Sequence, residues 1–351
     1  MAETASTLEN LGLISVMFEP SASFWRGRSV MITGGAGFIG SWLAYHLLRA
    51  GALVIVLDLK SSMHYLGGEA QSLINGVVFH QGTVCDRSLL DSLIKKNNVQ
   101  TIFHLAAQAI VGEALKDPVE ALESNVQGTW TVLEAVRQSG RKVEVVVASS
   151  DKAYGTHDIL PYHEDFALQG VNPYDASKSC ADLVATMYAK TYQMPLVITR
   201  CGNVYGGGDD NWSRLIPDTI RRLVHNQAPE LRSDGRSRRD YVYIDDVVAA
   251  YCQVAEAIGP KNLQGEAFNF GNNEPKQALE VVQTLLALMG SKSEVRILAT
   301  ATHEIKDQYL DARKAKEILG WSASVDLQEG LNRTIAWYRI FFNEHPEYAL
   351  V

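Results

Sequence analysis

Ser29-Val-Met-Ile-Thr-Gly-Gly-Ala-Gly-Phe-Ile-Gly40 is the stretch on which the fold turns. A short apolar, β-branched run leads into glycines at positions 34, 37 and 40, and a helical pattern, Phe38 to Ala50, follows. A buried strand that enters a helix through such a turn is suited to a pyrophosphate. Gly34 permits the tight turn, Gly37 lets backbone N–H groups approach the phosphates, and Gly40 lets the helix pack close to the strand. The helix N-terminus then faces the phosphate charge. Phe38 and Ile39 lie in the same turn and join the expected cofactor contacts. The spacing alone is common, and its bland reading is a strand-helix turn. Here Asp58 stands 18 residues beyond Gly40 at the end of the next apolar run, which is the context a dinucleotide site needs. A carboxylate there accepts from ribose hydroxyls and repels a 2′-phosphate, so NAD is expected rather than NADP. Lys60, two residues on, reads as a solvated lysine.

Outward from this unit the same rhythm continues. Leu53–Leu57, Val77–Gln81, Thr101–His104, Val143–Ser149 and Leu196–Arg200 are strand-like runs, and Arg87–Lys96, Pro118–Ser139 and Pro173–Tyr192 are helical. Strand-helix alternation at this spacing predicts an α/β, Rossmann-type, doubly wound parallel sheet with helices on both faces. After residue 200 the rhythm changes. A glycine-containing loop leads to a helix near Arg214–Val224, an arginine-rich stretch, a short apolar run from Tyr241 and a helix over Asp245–Ala257. An amphipathic helix, Leu327–Phe342, closes the chain. The expected division is an N-terminal extension (1–23), an NAD-binding domain (24–200, with 240–260 returning to it), and a smaller mixed α/β C-terminal substrate lobe (201–239 and 261–351). A ligand cleft is expected between the two lobes. The extension reads equally as a disordered tail or as a strap on the body.

The net charge of −8 argues against a general affinity for nucleic acid. Cys85, Cys180, Cys201 and Cys252 form no CxxC pair, so neither a zinc site nor a disulfide framework is expected, and a reducing cytoplasmic setting is the simplest reading. No run reaches the length of a membrane span, and Leu11–Phe18 lacks the basic flank of a secretory signal. No His/Cys/Asp cluster has metal-ligand spacing. His104 reads as a satisfied structural histidine, while His157 and His163 lie in a loop near the site.

Tyr174-Asp-Ala-Ser-Lys178 puts a phenol and an ammonium four residues apart on one helical face. A nearby ammonium and a positive cofactor ring lower a phenol pKa, so Tyr174 is expected to serve as a base. With the glycine turn and Ser149-Ser150, this pattern resembles the extended short-chain dehydrogenase/reductase superfamily over nearly the whole chain. Leu105-Ala-Ala107, Asn125 in Asn-Val-Gln-Gly-Thr129, and Arg239-Asp240 before Tyr243-Ile-Asp-Asp246 also match. The resemblance implies cofactor contacts from Asp86, Leu105, Ala106, Ala107, Tyr174 and Lys178. It also implies substrate contacts from Asn125, Asn203, Arg214 and Arg239, with the guanidinium of Arg239 on the diphosphate. Arg232, Arg236 and Arg238, in the same loop, read as a mostly solvated turn. Helices around 118–138 and 173–192 match the superfamily's dimer contact, so a homodimer is expected.

Within the superfamily, Ser149-Ser-Asp-Lys-Ala-Tyr-Gly155 is the informative segment. Asp151-Lys152 resembles the nucleotide-sugar 4,6-dehydratases, most of all the CDP-glucose branch, and also the UDP-N-acetylglucosamine dehydratases. Phe24-Trp25, Gly40-Ser-Trp-Leu43, Gly202-Asn-Val-Tyr-Gly-Gly-Gly-Asp209 and Arg214-Leu-Ile-Pro217 also look like the CDP-glucose branch. Arg239-Asp-Tyr-Val-Tyr243 and Gly34-Gly35 are instead the generic superfamily forms. The expected reaction converts an NDP-hexose, CDP-glucose favoured, to the NDP-4-keto-6-deoxyhexose. Tyr174, with Ser150, takes the proton of the 4-hydroxyl as hydride passes to NAD; Lys152 removes the C5 proton and a protonated Asp151 serves the departing 6-hydroxyl; hydride then returns at C6. A 4-epimerase or a hexuronate decarboxylase on the same scaffold is the rival reading, and a cofactor-binding protein without turnover is a second. The bland reading of Asp151 and Lys152 is a solvated ion pair.

Overall fold

A computed structural model describes residues 18–300 and 305–348. Its centre is a seven-stranded, all-parallel sheet. We number its first six strands β1 (Ser29–Thr33), β2 (Leu53–Asp58), β3 (Val78–Gln81), β4 (Thr101–His104), β5 (Glu144–Ala148) and β6 (Leu196–Cys201). The spatial order is β3-β2-β1-β4-β5-β6, and Ala267–Phe270 pairs in parallel with β6 at the far edge. This is the doubly wound arrangement that the alternation predicts. The edge strand comes from within 261–351, a stretch expected to lie wholly in the smaller lobe. Its Phe268 and Phe270 are fully buried, so the sheet retains them.

Both faces of the sheet are covered, which is why its strands read as continuous apolar runs. Along β1 the side chains alternate: Val30 and Ile32 enter one core, Met31 the other. The first core includes the helix Phe38–Arg49, the helix Ile244–Ala257 and much of the C-terminal lobe, including Trp321, Trp337 and Tyr338. The second holds Leu90, Leu93 and Ile94 of the helix Arg87–Lys96 with Val132, Leu133 and Val136. One core is therefore continuous from the sheet into the lobe, and the lobe is packed against it. Among residues 18–25, Trp25 is buried and its Nε1 donates to Glu256 Oε1 at 2.6 Å. Of the expected extension 1–23, residues 18–23 are described, with Ser21 N donating to Glu256 Oε1 at 3.0 Å, and residues 1–17 fall outside the described residues.

One element departs from expectation in a useful way. The run expected as a single helix over 118–139 is Pro118–Leu122, a π-helical turn Glu123–Gln127, and a helix Gly128–Gln138. Such a wider turn re-aims the side chains within it. Here it turns Asn125 inward, where Nδ2 donates to Ser177 Oγ at 2.8 Å and to Gln108 O at 3.1 Å, while Oδ1 accepts from Gln108 N at 2.7 Å. Those buried bonds are the local reason for the departure. The strand order reverses between β1 and β4, and a parallel sheet opens its ligand crevice at the carboxyl ends of such a pair.

Candidate active site

At that reversal the turn 34–37 folds against the end of β4. Gly34 has φ +69°, and a Cβ there would meet Ala106 N at 2.6 Å, so no side chain fits. A Cβ on Gly40 would strike Gly34 O at 2.5 Å, which is the close approach of helix to turn that the sequence implies. The helix Phe38–Arg49 starts at Gly37 without a side-chain cap, leaving its first N–H groups for a ligand. Asp58 Oδ2 accepts from Ala36 N at 2.9 Å, and Oδ1 from Lys60 N at 2.9 Å. The Asp58 carboxylate thus braces the glycine turn.

These groups border a cavity of about 590 Å³. Gly34, Gly37, Phe38, Ile39, Gly40 and Asp58 line it, with Leu105, Ala106 and Ala107. Ser150, Asp151, Lys152, Tyr174 and Lys178 line it too. Asn203 and Arg214 also border it, with Arg214 Nη1 paired with Asp209 Oδ2 at 2.9 Å. A cradle with no room for a Cβ, an uncapped helix start and a carboxylate at the second strand end all fit a dinucleotide.

Three expected contacts lie elsewhere. Asp86 is exposed and caps the helix Arg87–Lys96, accepting from Leu89 N at 3.0 Å; Thr83 and Val84 line the wall in its place. Asn125 is buried behind the wall, its amide consumed by Gln108 and Ser177. Arg239 does not border the cavity, and its guanidinium donates to the carbonyls of Arg238, Ile305 and Lys306. All three are satisfied by other protein groups in the fold, which a motif match cannot register.

The chemistry gathers where β5 ends. Ser150 starts a single 3₁₀ turn, Asp151–Tyr154, and its Oγ accepts from Lys152 N at 3.2 Å and donates to Asp151 Oδ1 at 3.1 Å. Lys152 Nζ lies 3.4 Å from Asp151 Oδ2. Asp151 is 2% exposed, so the solvated-pair reading does not describe it. Burial pushes the Lys152 ammonium down, Asp151 opposes this, and Arg239 adds to the lowering. Burial also lifts the neighbouring Asp175 to about 6, with Asp151 adding to the rise and Lys152 opposing it. The helix Pro173–Tyr192 presents Tyr174 and Lys178 one turn apart. Lys178 Nζ donates to Ala148 O at 2.9 Å, and burial brings its pKa down to about 8 against the pull of Asp182.

Tyr174 corrects one expectation. Its pKa is pushed up to about 12, not lowered: burial outweighs the hydrogen bond with Ser150, and Asp151 adds to the rise. The Lys178 ammonium is turned to a carbonyl, which spends part of its field there. His104 is the structural residue it reads as, bonded to Thr33 Oγ1 at 2.8 Å and Thr129 Oγ1 at 3.1 Å, with burial holding its pKa at about 3. His157 bonds to Ala167 O and His163 faces Asp311; neither lines the cavity. Among the described residues, no group of three His, Cys, Asp or Glu could hold a metal ion, and no helix is long and apolar enough to cross a membrane.

One residue of this site escaped the sequence reading. Gln308, fully buried, donates from Nε2 to Asp151 O at 2.9 Å and accepts from Lys152 Nζ at Oε1. It lies far along the chain from the pair it touches, and no motif marks it.

A glycine turn at the sheet's reversal and a Ser150-Tyr174-Lys178 set around one cavity define an extended short-chain dehydrogenase/reductase. The family model described as GDP-mannose 4,6 dehydratase matches residues 31–334, and the chain belongs to that family of nucleotide-sugar 4,6-dehydratases. The CDP-glucose 4,6-dehydratase of Salmonella typhimurium is 32% identical over 332 residues, covering 90% of this chain and 92% of that protein. A putative UDP-glucose 4-epimerase of Methanocaldococcus jannaschii is 30% identical over 312 residues, covering 88% and 98%. The solved structure of the dTDP-glucose 4,6-dehydratase of Streptomyces venezuelae, with NAD bound, has a TM-score of 0.81 at 32% identity, covering 91% and 99%.

Proposed function

We propose that this chain is an NAD-dependent 4,6-dehydratase acting on an NDP-hexose, CDP-glucose first among the candidates. The observation that carries the reading is the buried Asp151–Lys152 pair, 3.4 Å apart in the wall that also holds Tyr174. An acid and an amine side by side suit the loss of water from a 4-keto sugar. They have no task in a plain alcohol oxidation.

Tyr174 takes the proton of the sugar 4-hydroxyl, with Ser150 holding the phenol and the 4-oxygen in line. NAD, when bound, accepts the C4 hydride, returns it at C6, and brings beside Tyr174 the positive charge that offsets its burial. The 4-ketone acidifies the C5 hydrogen. Lys152 removes that proton and Asp151 gives one to the departing 6-hydroxyl, so that the C5–H and C6–O bonds break as the C5–C6 double bond and water form. Moving one proton across the pair turns aspartate and ammonium into acid and amine, the form that this step requires. Asn203 and Arg214 face the nucleotide diphosphate, and the Gly34–Gly40 turn with Asp58 holds the cofactor. The preference for the CDP form rests on the 32% identity to the Salmonella protein and on the motifs that accompany Asp151-Lys152.

Epimerisation is the second reading, favoured by the likeness to the Methanocaldococcus protein. Incubation with CDP-, UDP-, dTDP- and GDP-hexoses in deuterated water separates the two by product mass. Loss of water with deuterium at C5 is expected. An isomer of unchanged composition, or loss of CO2 from a hexuronate, would overturn the dehydratase reading. Asp151→Asn should then suppress elimination about 10²-fold or more while sparing initial C4 oxidation; equal loss of both steps would remove Asp151 from its assigned role. The protein is further proposed to work as a homodimer in the cytoplasm.

A further inference from the structure

The buried amide of Gln308 lies against Asp151 and Lys152 behind the cavity wall, and the reaction just described gives it no part. It stands on the two-residue strand Asp307–Gln308, which pairs in parallel with Arg238–Arg239 and so reaches the site from the C-terminal lobe. Its orientation is not free. Nε2 donates to Asp151 O at 2.9 Å, which leaves Oε1 as the acceptor that faces Lys152 Nζ.

Lys152 Nζ therefore has two acceptors on the protein side, Gln308 Oε1 and Asp151 Oδ2, while Lys152 itself lines the cavity. A neutral amine carries two N–H bonds and one lone pair in tetrahedral directions. With both N–H bonds spent on Gln308 and Asp151, the lone pair has the cavity left to it. As an ammonium, the same nitrogen points its third N–H there. We propose that Gln308 is a positioning residue for Lys152: it takes one N–H so that the basic lone pair, and later the abstracted proton, is directed at the sugar C5. This rests on the dehydratase reading and deepens it.

In the step itself, the C5–H bond breaks and an N–H bond forms on Lys152, whose nitrogen never leaves its two acceptors. The ammonium, in exchange with solvent through the cavity, then gives a proton back to C5 after water has left, so that deuterium enters there in deuterated water. Gln308 suits this because an amide is neutral. A carboxylate in its place would hold Lys152 as ammonium and remove the base. The charged and titratable groups around Lys152 are Asp151 and Asp175, which favour the ammonium, and Arg239, which opposes it. A neutral residue at position 308 leaves that balance alone while fixing direction.

The test uses the full-length holoenzyme and CDP-glucose, or whichever of the four NDP-glucoses the intact enzyme turns over, with two variants. Gln308→Leu removes the acceptor; Gln308→Glu keeps the size and adds a charge. Deuterium entry at C5 and loss of water are read against C4 oxidation, the latter followed by the near-ultraviolet band of reduced nicotinamide in a single turnover. Misdirection of a reacting group costs on the order of 10²-fold, so Gln308→Leu should lower elimination by about that factor relative to C4 oxidation. Gln308→Glu should move the acid limb of the elimination pH profile to higher pH, because the ammonium is then favoured. That shift reports contact between position 308 and the base, while a merely structural amide would leave the ratio of elimination to C4 oxidation unchanged in Gln308→Leu. If both variants keep the intact enzyme's ratio of elimination to C4 oxidation and its pH limb, Gln308 has no such part. If the intact enzyme eliminates no water at all, the underlying dehydratase reading fails instead. Should Gln308→Leu not fold, Gln308→Met, which keeps the length and removes the amide acceptor, is read for the same ratio.

Discussion

Lys178 is 7% exposed and still has a hydrogen-bond partner, the carbonyl of Ala148. Its pKa falls from an ordinary 10.5 to about 8 because burial disfavours the charge. A group lowered in this way works against folding while it is charged in both states. Below about pH 8 the cost is present in full, and it fades as pH rises from about 8 to the unfolded value, since the unfolded chain then binds more protons. The fall corresponds to about 3 kcal/mol. Lys178→Met should therefore leave the cofactor-stripped protein at least as stable at pH 7, by chemical denaturation, and should flatten the rise in stability above pH 8. Activity is expected to fall about 10²-fold or more. A clear loss of stability at pH 7 would mean that the bond to Ala148 outweighs the burial of the charge. Site function and stability then pull apart at one residue, which is common where a charge is kept dry for chemistry.

The elements show where a motif stops being informative. The six strands β1 to β6 and the longer helices between them were legible because each is long enough to show its period or is bounded by glycine and charge; the short helices Gly68–Ile74 and Val111–Lys116 were not. The π-helical turn was not, since one extra residue in a helix leaves no trace in local preference; only the inward amide of Asn125 and its distant partners, Gln108 and Ser177, make it worthwhile. The same limit misplaced Asp86 and Arg239. Each matches a pattern, and each is satisfied by nearby backbone, on the first turn of a helix or on the carbonyls of 305 and 306. Gln308 shows the converse, a site residue brought in from far along the chain by a short strand pairing. Asn125→Ala gives this a measure. It strands Gln108 N and the carbonyl of Gln108 of their buried partner, while Ser177 Oγ keeps its bond to Tyr174 O, and an unpaired buried polar group costs about 1–3 kcal/mol. Unfolding by urea should show a loss of at least that order. Substrate turnover should fall less than in Tyr174→Phe, because Asn125 braces the wall and does not line it. A turnover loss as large as that of Tyr174→Phe with unchanged stability would put Asn125 in contact with substrate after all.

At the scale of the whole molecule, several of the large apolar residues left exposed stand together on neighbouring helices. Leu115, Val119 and Leu122 are 51%, 60% and 46% exposed, and Leu183 and Met187 are 57% and 43%. They stand on the helices Val111–Lys116, Pro118–Leu122 and Pro173–Tyr192. A monomer gains nothing from leaving so many long apolar side chains wet on adjoining helices, and a contiguous apolar patch of this kind marks an interface. A two-fold axis through the patch would bring the same helices of two copies together, each face meeting itself. The helix that carries Leu183 and Met187 also carries Tyr174 and Lys178, so the partner would stiffen the catalytic helix from its outer side. Leu183→Glu places like charges across such an axis, where they repel and cannot be solvated. Light scattering behind size-exclusion chromatography should read about twice the chain mass for the intact protein and a concentration-dependent shift toward one chain for Leu183→Glu. Turnover of the variant should fall with dilution as the dimer separates. A chain mass of one for the intact protein at micromolar concentration would remove the dimer, and with it the reason for the apolar outer face of this helix.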